Sequence, residues 1–442
     1  MKKRSTAWIT CLLLLSFLAQ GCTLPGIGKE KQPEITVKVI AEPVERFHLF
    51  EPLLREKFPH ITFEVRDPLS EVWANKNIAP EDYMEAILAI IEQADADLFL
   101  NFQADYYIEN YPLLDLAPLL NMYGIQLNVH QQVLADQATR RDGTLTTLSP
   151  TFNKQVLFIN NKLLSELNVA IPESPMSWET FRQTAVSIQE QSPNIQSYTT
   201  NFSQFSALEW FGRTIMGWNL VEDNQLTLDR QEWRELFEQI YGDGLKEKFL
   251  NSKIYNPRTF DNTGLYITGG HYIRALMNAG QSPEDWSIVE LPRDPMNNYR
   301  MPIYATNPFA IHAESEYIDE LMGMIAYLMS EEGAERIEAD VISVEAAKRW
   351  EDIQSPFGFV TYRDELTFNQ FGAEAIFELD GVTPAASNVK LANEAYFQLI
   401  DVFDVQFKAV ASGSLSFDQG WELVQQTVQK INSEPSNFVA AE

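Results

Sequence analysis

Side chains able to make or break covalent bonds are sparse in this sequence of 442 residues. The histidines are His48, His60, His130, His271 and His312, and none stands at the His-x-x-x-His spacing that brings two imidazoles to one metal. The cysteines are Cys11 and Cys22, so the body of the chain has no thiolate nucleophile and no Cys-based zinc site. There is no Gly-x-Ser-x-Gly elbow and no glycine-rich loop to cradle a phosphate. Asp95 and Asp97 alternate at a strand start, a pattern of capping or solvation. A glycoside-hydrolase carboxylate pair comes from distant segments, which spacing does not locate. The expectation is therefore no catalytic set, no metal and no cofactor, and a protein that is not an enzyme.

Flat rings and planar polar groups at loop positions suit non-covalent capture instead. Nine Trp, 16 Tyr and 27 Phe are enough for both a core and a cleft. Trp210 and Trp218 flank a glycine-containing stretch (EWFGRTIMGWN) and face either a ligand or the core. Trp73 lies in a polar loop, Tyr106 and Tyr107 flank another, and His271 and Tyr272 follow a glycine pair. Asn101, Gln103 and Asp105 bond a ligand or are merely solvated. Glu42 opens the loop after the first strand. Lys154 pairs a ligand carboxylate or neutralises neighbouring acids. Trp233 and Trp178 read as core and as a structural staple.

These candidates need elements to hold them. Ile35–Ile40 and Ile61–Val65 alternate with β-branched residues and read as strands. Residues 46–57 set Phe47, Phe50, Leu53 and Leu54 at helical spacing, and residues 82–93 do the same with Met84, Ile87, Leu88 and Ile91. Asp97–Leu100 is a short buried-type strand. The order β-α-β-α-β predicts a parallel sheet with helices on both faces. Ligands bind beyond the carboxyl ends of such strands, here the loops Ala41–Pro43, Asp67–Trp73 and Asn101–Asp105. A second set follows: a strand at Gln155–Ile159, a helix capped by Ser177, an amphipathic helix over 231–241, and a capping box at Ser416–Gln419.

With 62 acidic and 33 basic residues the formal charge is −29. Such a surface repels a phosphate backbone, which excludes nucleic acid as the expected partner. Met1-Lys2-Lys3-Arg4 and a short apolar run to Ala19 form an export-signal pattern. It ends in Leu18-Ala19-Gln20-Gly21-Cys22, which resembles a lipobox. Residues 1–21 would be removed and Cys22 lipidated, with 22–33 as a flexible tether. The expected location is the outer side of the cell membrane.

The ordered motifs resemble those of bacterial extracellular solute-binding proteins, the sugar-type (family 1) lipoproteins of ABC transporters. Phe58–Glu64 is similar to that family's "FPxIxVE", Ala96-Asp97-Leu98 to "PDV", and Leu114–Leu119 to "LxDLTPLI". Leu157–Leu164 is similar to "LYYNKDLF", and Ile171-Pro172 through Phe181 to "IPxTWDEF". Gly264–Gly270, Ile288–Pro292 and Asn307–Gly333 match in turn the "GKAAMxxxG", "PLP" and "LTSEEG" regions. The resemblance implies a two-lobe, Venus-flytrap α/β fold, each lobe a mainly parallel sheet flanked by helices. Lobe one would comprise 34–150 plus 305–343, lobe two 151–304 plus 344–432, with 433–442 a loose tail. It also implies a monomer that closes on a carbohydrate and passes it to an ABC permease. A hydrolase acting on polysaccharide, or a binding protein that signals to a sensor kinase, are the competing readings. Where sugar binders often place Trp after the glycine pair, this chain has His271-Tyr272. Near the first crossing it has Lys154 where a carboxylate is frequent. Peptide, amino-sugar and uronate ligands therefore stay open.

Overall fold

The computed structural model describes residues 33–78, 82–102, 111–140, 142–192, 195–200, 204–241, 262–294, 300–342, 360–361, 364–379 and 389–440. Strand β1 (Ile35–Ala41) buries residues on both faces, as expected of a strand covered by helices on either side. Helix α1 (Val44–Lys57) buries Phe47, Phe50, Leu53 and Leu54, the set its spacing predicts. Strand β2 (Ile61–Arg66) follows. The next segment corrects the sequence reading. Asp67–Trp73 is not a polar loop: Pro68–Ala74 forms helix α2, because the Asp67 carboxylate accepts from Ser70 N at 3.0 Å and Ser70 Oγ at 2.7 Å, with Pro68 at the first turn. Helix α3 (Tyr83–Ala94) buries Ile87 and Ile91 and leaves Met84 exposed. Strand β3 (Leu98–Leu100) completes the first run.

Helix α4 (Val129–Ala138) opens with a capping box from Asn128 and Gln131. The chain then crosses through β4 (Phe152–Asn153) into β5 (Gln155–Asn160). Helix α5 (Trp178–Gln191) is capped by Ser177 Oγ, as predicted. Strand β6 (Gln196–Thr200) and helices α6 (Gln204–Thr214) and α7 (Gln231–Ile240) lead to β7 (Thr263–Gly269), helix α8 (Tyr272–Asn278) and β8 (Trp286–Val289). The chain returns through β9 (Tyr304–Ala305) to β10 (Phe309–Ile311) and helix α9 (Ile318–Met329). Helices α10 (Asn393–Ala411) and α11 (Phe417–Asn432) pack on α6, α7 and each other.

The first sheet has the order β10-β3-β1-β2. Its β1 is parallel to β2 and β3, and β10 is antiparallel at the edge. The second has the order β8-β5-β7-β6 and is mixed, not mainly parallel: β5 runs antiparallel to both β7 and β8. The crossing explains this. β5 starts at the junction, where Gln155 pairs with Gly269 at the end of β7, and runs away from it. Each sheet carries its own apolar core, one around Phe47, Phe50 and Phe309, the other around Phe181, Trp233 and Phe237. Between them β4 and β9 form an antiparallel ribbon, and Val360 bridges to Phe152. The tail is not loose throughout. Phe438–Ala440 pairs antiparallel with Val389–Leu391, so its backbone groups are satisfied in a ladder.

Candidate binding cleft at the lobe junction

On the lobe-one side, β1 and β3 end together. Glu42 N donates to Leu100 O at 3.1 Å, and Asn101 Nδ2 donates to Glu42 O at 2.5 Å. Asn101 is left-handed (φ 54), a conformation Asn tolerates, and this turns its amide back onto Glu42. Burial, then the neighbouring Asp67, raises the Glu42 carboxyl above the usual range, while Arg46 opposes the shift. Arg46, one turn into α1, donates through Nη1 to Thr306 O and to Asn307 Oδ1, the latter at 3.0 Å. It thereby ties the first helix to the return crossing. Burial pulls its guanidinium down to about 10 and pushes the Tyr304 phenol up to about 12.

The crossing is a hydroxyl and amide network. Thr151 Oγ1 and Thr306 Oγ1 are 2.8 Å apart, and Asn307 Nδ2 donates to Thr151 Oγ1 at 2.7 Å. Asn307 N donates to Ser149 Oγ at 3.3 Å. Each side chain of this set thus has a hydrogen-bond partner, as burial requires.

On the lobe-two side, Asn153 Nδ2 meets His271 Nδ1 at 2.7 Å. With the amide donating, Nδ1 accepts and the ring proton sits on Nε2. Burial first, then the charges of Arg274 and Arg46, push the imidazole down to about 3, so it is neutral at physiological pH. Gly269 makes the pairing possible, because a Cβ there would lie 2.4 Å from Asn153 Nδ2 and 2.6 Å from His271 Nδ1. Arg274 is itself held by Asp364, with both carboxylate oxygens at 2.5 Å from Nη2.

Lys154 is 2% exposed and its Nζ donates to Glu378 O at 3.0 Å. Burial lowers its ammonium from the ordinary value, against the carboxylates of Glu378 and Glu290. It lines a pocket at the end of β8 with Gln155, Thr214, Glu290, Arg293 and Arg300.

The junction thus gathers Glu42, Asn101, Lys154 and His271 from the sequence candidates. Two others, Trp210 and Tyr272, are corrected. Trp210 is 5% exposed, packed against Phe211 in the lobe-two core, and Tyr272 is 6% exposed between Phe158 and Tyr266. Rings so enclosed have no face for a ligand to stack on. Trp218 lies edge-on to Trp233 at 5.2 Å and is half-buried. Trp73 is 62% exposed on the last turn of α2. Gln103, Asp105, Tyr106 and Tyr107 lie outside the described residues, as do Cys22 and the signal and tether segments. Spacing missed Arg46, Asn153 and Asn307. Among the described residues no group of His, Cys, Asp and Glu could hold a metal, and no helix is long and apolar enough to cross a membrane.

Two α/β lobes joined by crossing strands, with polar groups gathered at the carboxyl ends of β1 and β3 in one and of β7 in the other, define a two-lobe binding-protein fold. The chain belongs to the bacterial extracellular solute-binding protein family, whose model matches residues 41–335. No curated protein matches the sequence significantly. Several solved structures share the fold. A periplasmic solute-binding protein from Pectobacterium atrosepticum is 12% identical with a TM-score of 0.59, over 90% of this chain and 99% of that one. A family 1 extracellular solute-binding protein from Alicyclobacillus acidocaldarius is 13% identical with a TM-score of 0.57, over 92% and 100%. An ABC substrate-binding protein from Listeria monocytogenes, solved in complex with cycloalternan, is 16% identical with a TM-score of 0.55, over 90% and 98%.

Proposed function

We propose that this protein is a lipid-anchored, outward-facing receptor that captures a carbohydrate between its two lobes and delivers it to an ABC permease. The observation that carries the reading is a pair of polar sets at the junction, Glu42 beside Arg46 after β1 and Asn153 bonded to His271 after β7, with Arg46 tied to Asn307 of the return crossing. Charged and amide groups with fixed partners suit hydroxyls that are lost to water on closure. A ligand that touches both walls favours the closed arrangement by its extra contacts there. The Listeria structure, with its bound cyclic oligosaccharide, supports a sugar as the class of solute. The signal pattern ending at Cys22 supports the anchor and a permease on the same membrane. The domain limits 34–150 plus 305–343 and 151–304 plus 344–432 belong to this reading.

The test is thermal shift of residues 23–442 against oligosaccharides, uronates and peptides, with each ligand recovered afterwards. A ligand at 100 times its dissociation constant stabilises by about 2.7 kcal/mol. A selective rise for a saccharide that is recovered intact supports capture. Consumption of the ligand means a hydrolase, and a response to peptides alone overturns the carbohydrate assignment.

A further inference from the structure

The pocket at the end of β8 has a chemistry of its own. Three cations line it, Lys154, Arg293 and Arg300, against one carboxylate, Glu290. This occurs in a chain with nearly twice as many acids as bases, 62 against 33. Lys154 is almost fully buried, yet its ammonium is met by a neutral carbonyl, Glu378 O, and forms no salt bridge among the described residues. The Glu378 side chain is exposed. Arg293 is half-buried, and its side chain has no hydrogen bond or ion pair among the described residues. Its backbone is fixed by Met176 O and by Trp178 N, so its base is held in place. Burying a cation is costly unless it is closely paired, and a buried ammonium bonded only to a carbonyl, beside a half-buried guanidinium without a bonded partner, suits a charge that arrives with a ligand. A guanidinium and a carboxylate are matched in geometry as well as sign.

The pocket and the Asn153–His271 pair share one stretch of backbone. Lys154 follows Asn153 directly, and Lys154 O accepts from Gly270 N, next to His271.

We propose that this pocket is the anion subsite of the cleft and that the captured saccharide carries a carboxylate, as uronic acids do. The inference rests on the capture reading above and narrows its substrate class. A saccharide would set its hydroxyls against Asn153 and His271 and its carboxylate between Lys154 and Arg293.

The test is calorimetric titration of residues 23–442 with trisaccharides of galacturonic, mannuronic and glucuronic acid. Each is run beside its methyl ester, with neutral trisaccharides and inorganic sulfate as further arms. The expected result is that one uronate binds at least tenfold more tightly than its ester. Arg293→Gln and Lys154→Met should each erase most of that preference, lowering uronate affinity toward that of the ester. Arg293 is half-buried, so its variant keeps the test valid if Lys154→Met does not fold. Equal binding of acid and ester, or a neutral sugar binding while every uronate is silent, overturns the inference and leaves capture standing. Sulfate binding that depends on Arg293, without any uronate preference, overturns it in favour of a free inorganic anion. Silence from all saccharides overturns the capture reading together with it.

Discussion

Asn153 and His271, 118 residues apart in sequence, meet at 2.7 Å beside a glycine whose missing side chain makes the space. One residue belongs to the crossing ribbon and the other to the N-cap of α8. Their contact links the crossing ribbon to the start of α8.

Gly269→Ala should break that contact. The new methyl group would meet the ends of two side chains, which can swing away. The cost in stability should therefore sit at the low end of the overpacking range, about 1 kcal/mol, while affinity for the solute falls at least tenfold. Paired melting and titration measurements separate the two effects, and an unchanged affinity would remove Asn153 and His271 from the site.

Arg46→Met should loosen the junction. The variant loses the bonds to Thr306 O and Asn307 Oδ1 and leaves two buried acceptors without that donor. A loss of about 1–3 kcal/mol follows from unsatisfied buried groups. Denaturant unfolding reads it, and a change under about 0.5 kcal/mol, the usual range for surface substitutions, would show that the arginine is not structural.

The pH dependence has a definite sign. His271 is held near 3 when folded and titrates near 6.5 as a free side chain. The unfolded chain therefore binds one more proton between those values, and the contribution is full above 6.5 and is lost as pH falls toward 3. The slope from this group is about 1.4 kcal/mol per pH unit within that window. His271→Gln should flatten the fall in stability between pH 6 and pH 4, as followed by melting temperature. An identical profile in the variant would contradict the burial of a neutral ring.

Gly212→Ala should damage the lobe-two core. A Cβ there lies 2.1 Å from the Trp233 ring, which is fully enclosed. Overpacking costs about 1–3 kcal/mol, more than the gain of about 1 kcal/mol from replacing glycine in a helix. The net effect is a lower melting temperature. Trp210→Phe should likewise lower stability and leave affinity unchanged, because the ring faces the core.

The elements were legible where one period ruled. Phe47, Phe50, Leu53 and Leu54 repeat at helical spacing and are buried together, and Ser177 and Ser416 cap the helices they announced. Direction was less legible. Nothing in Gln155–Asn160 says that it runs opposite to its neighbours, since that follows from where the crossing enters the sheet. Loop ends after strands pointed to Glu42, Asn101 and His271, and the structure places all three at the junction. Arg46 was hidden because a cation on an amphipathic helix looks the same whether it meets water or a crossing strand. Trp210 and Tyr272 misled for the converse reason: an aromatic near a glycine reads alike in a cleft and in a core.

Capture in this molecule requires both lobes at once. The direct measurement is calorimetric titration of the saccharide panel into wild-type protein and into Asn153→Ala and Glu42→Gln, one variant for each wall. The expected result is one site per chain, an intact ligand, and at least tenfold weaker binding in both variants. Binding that survives both substitutions unchanged would place the solute elsewhere and contradict the account.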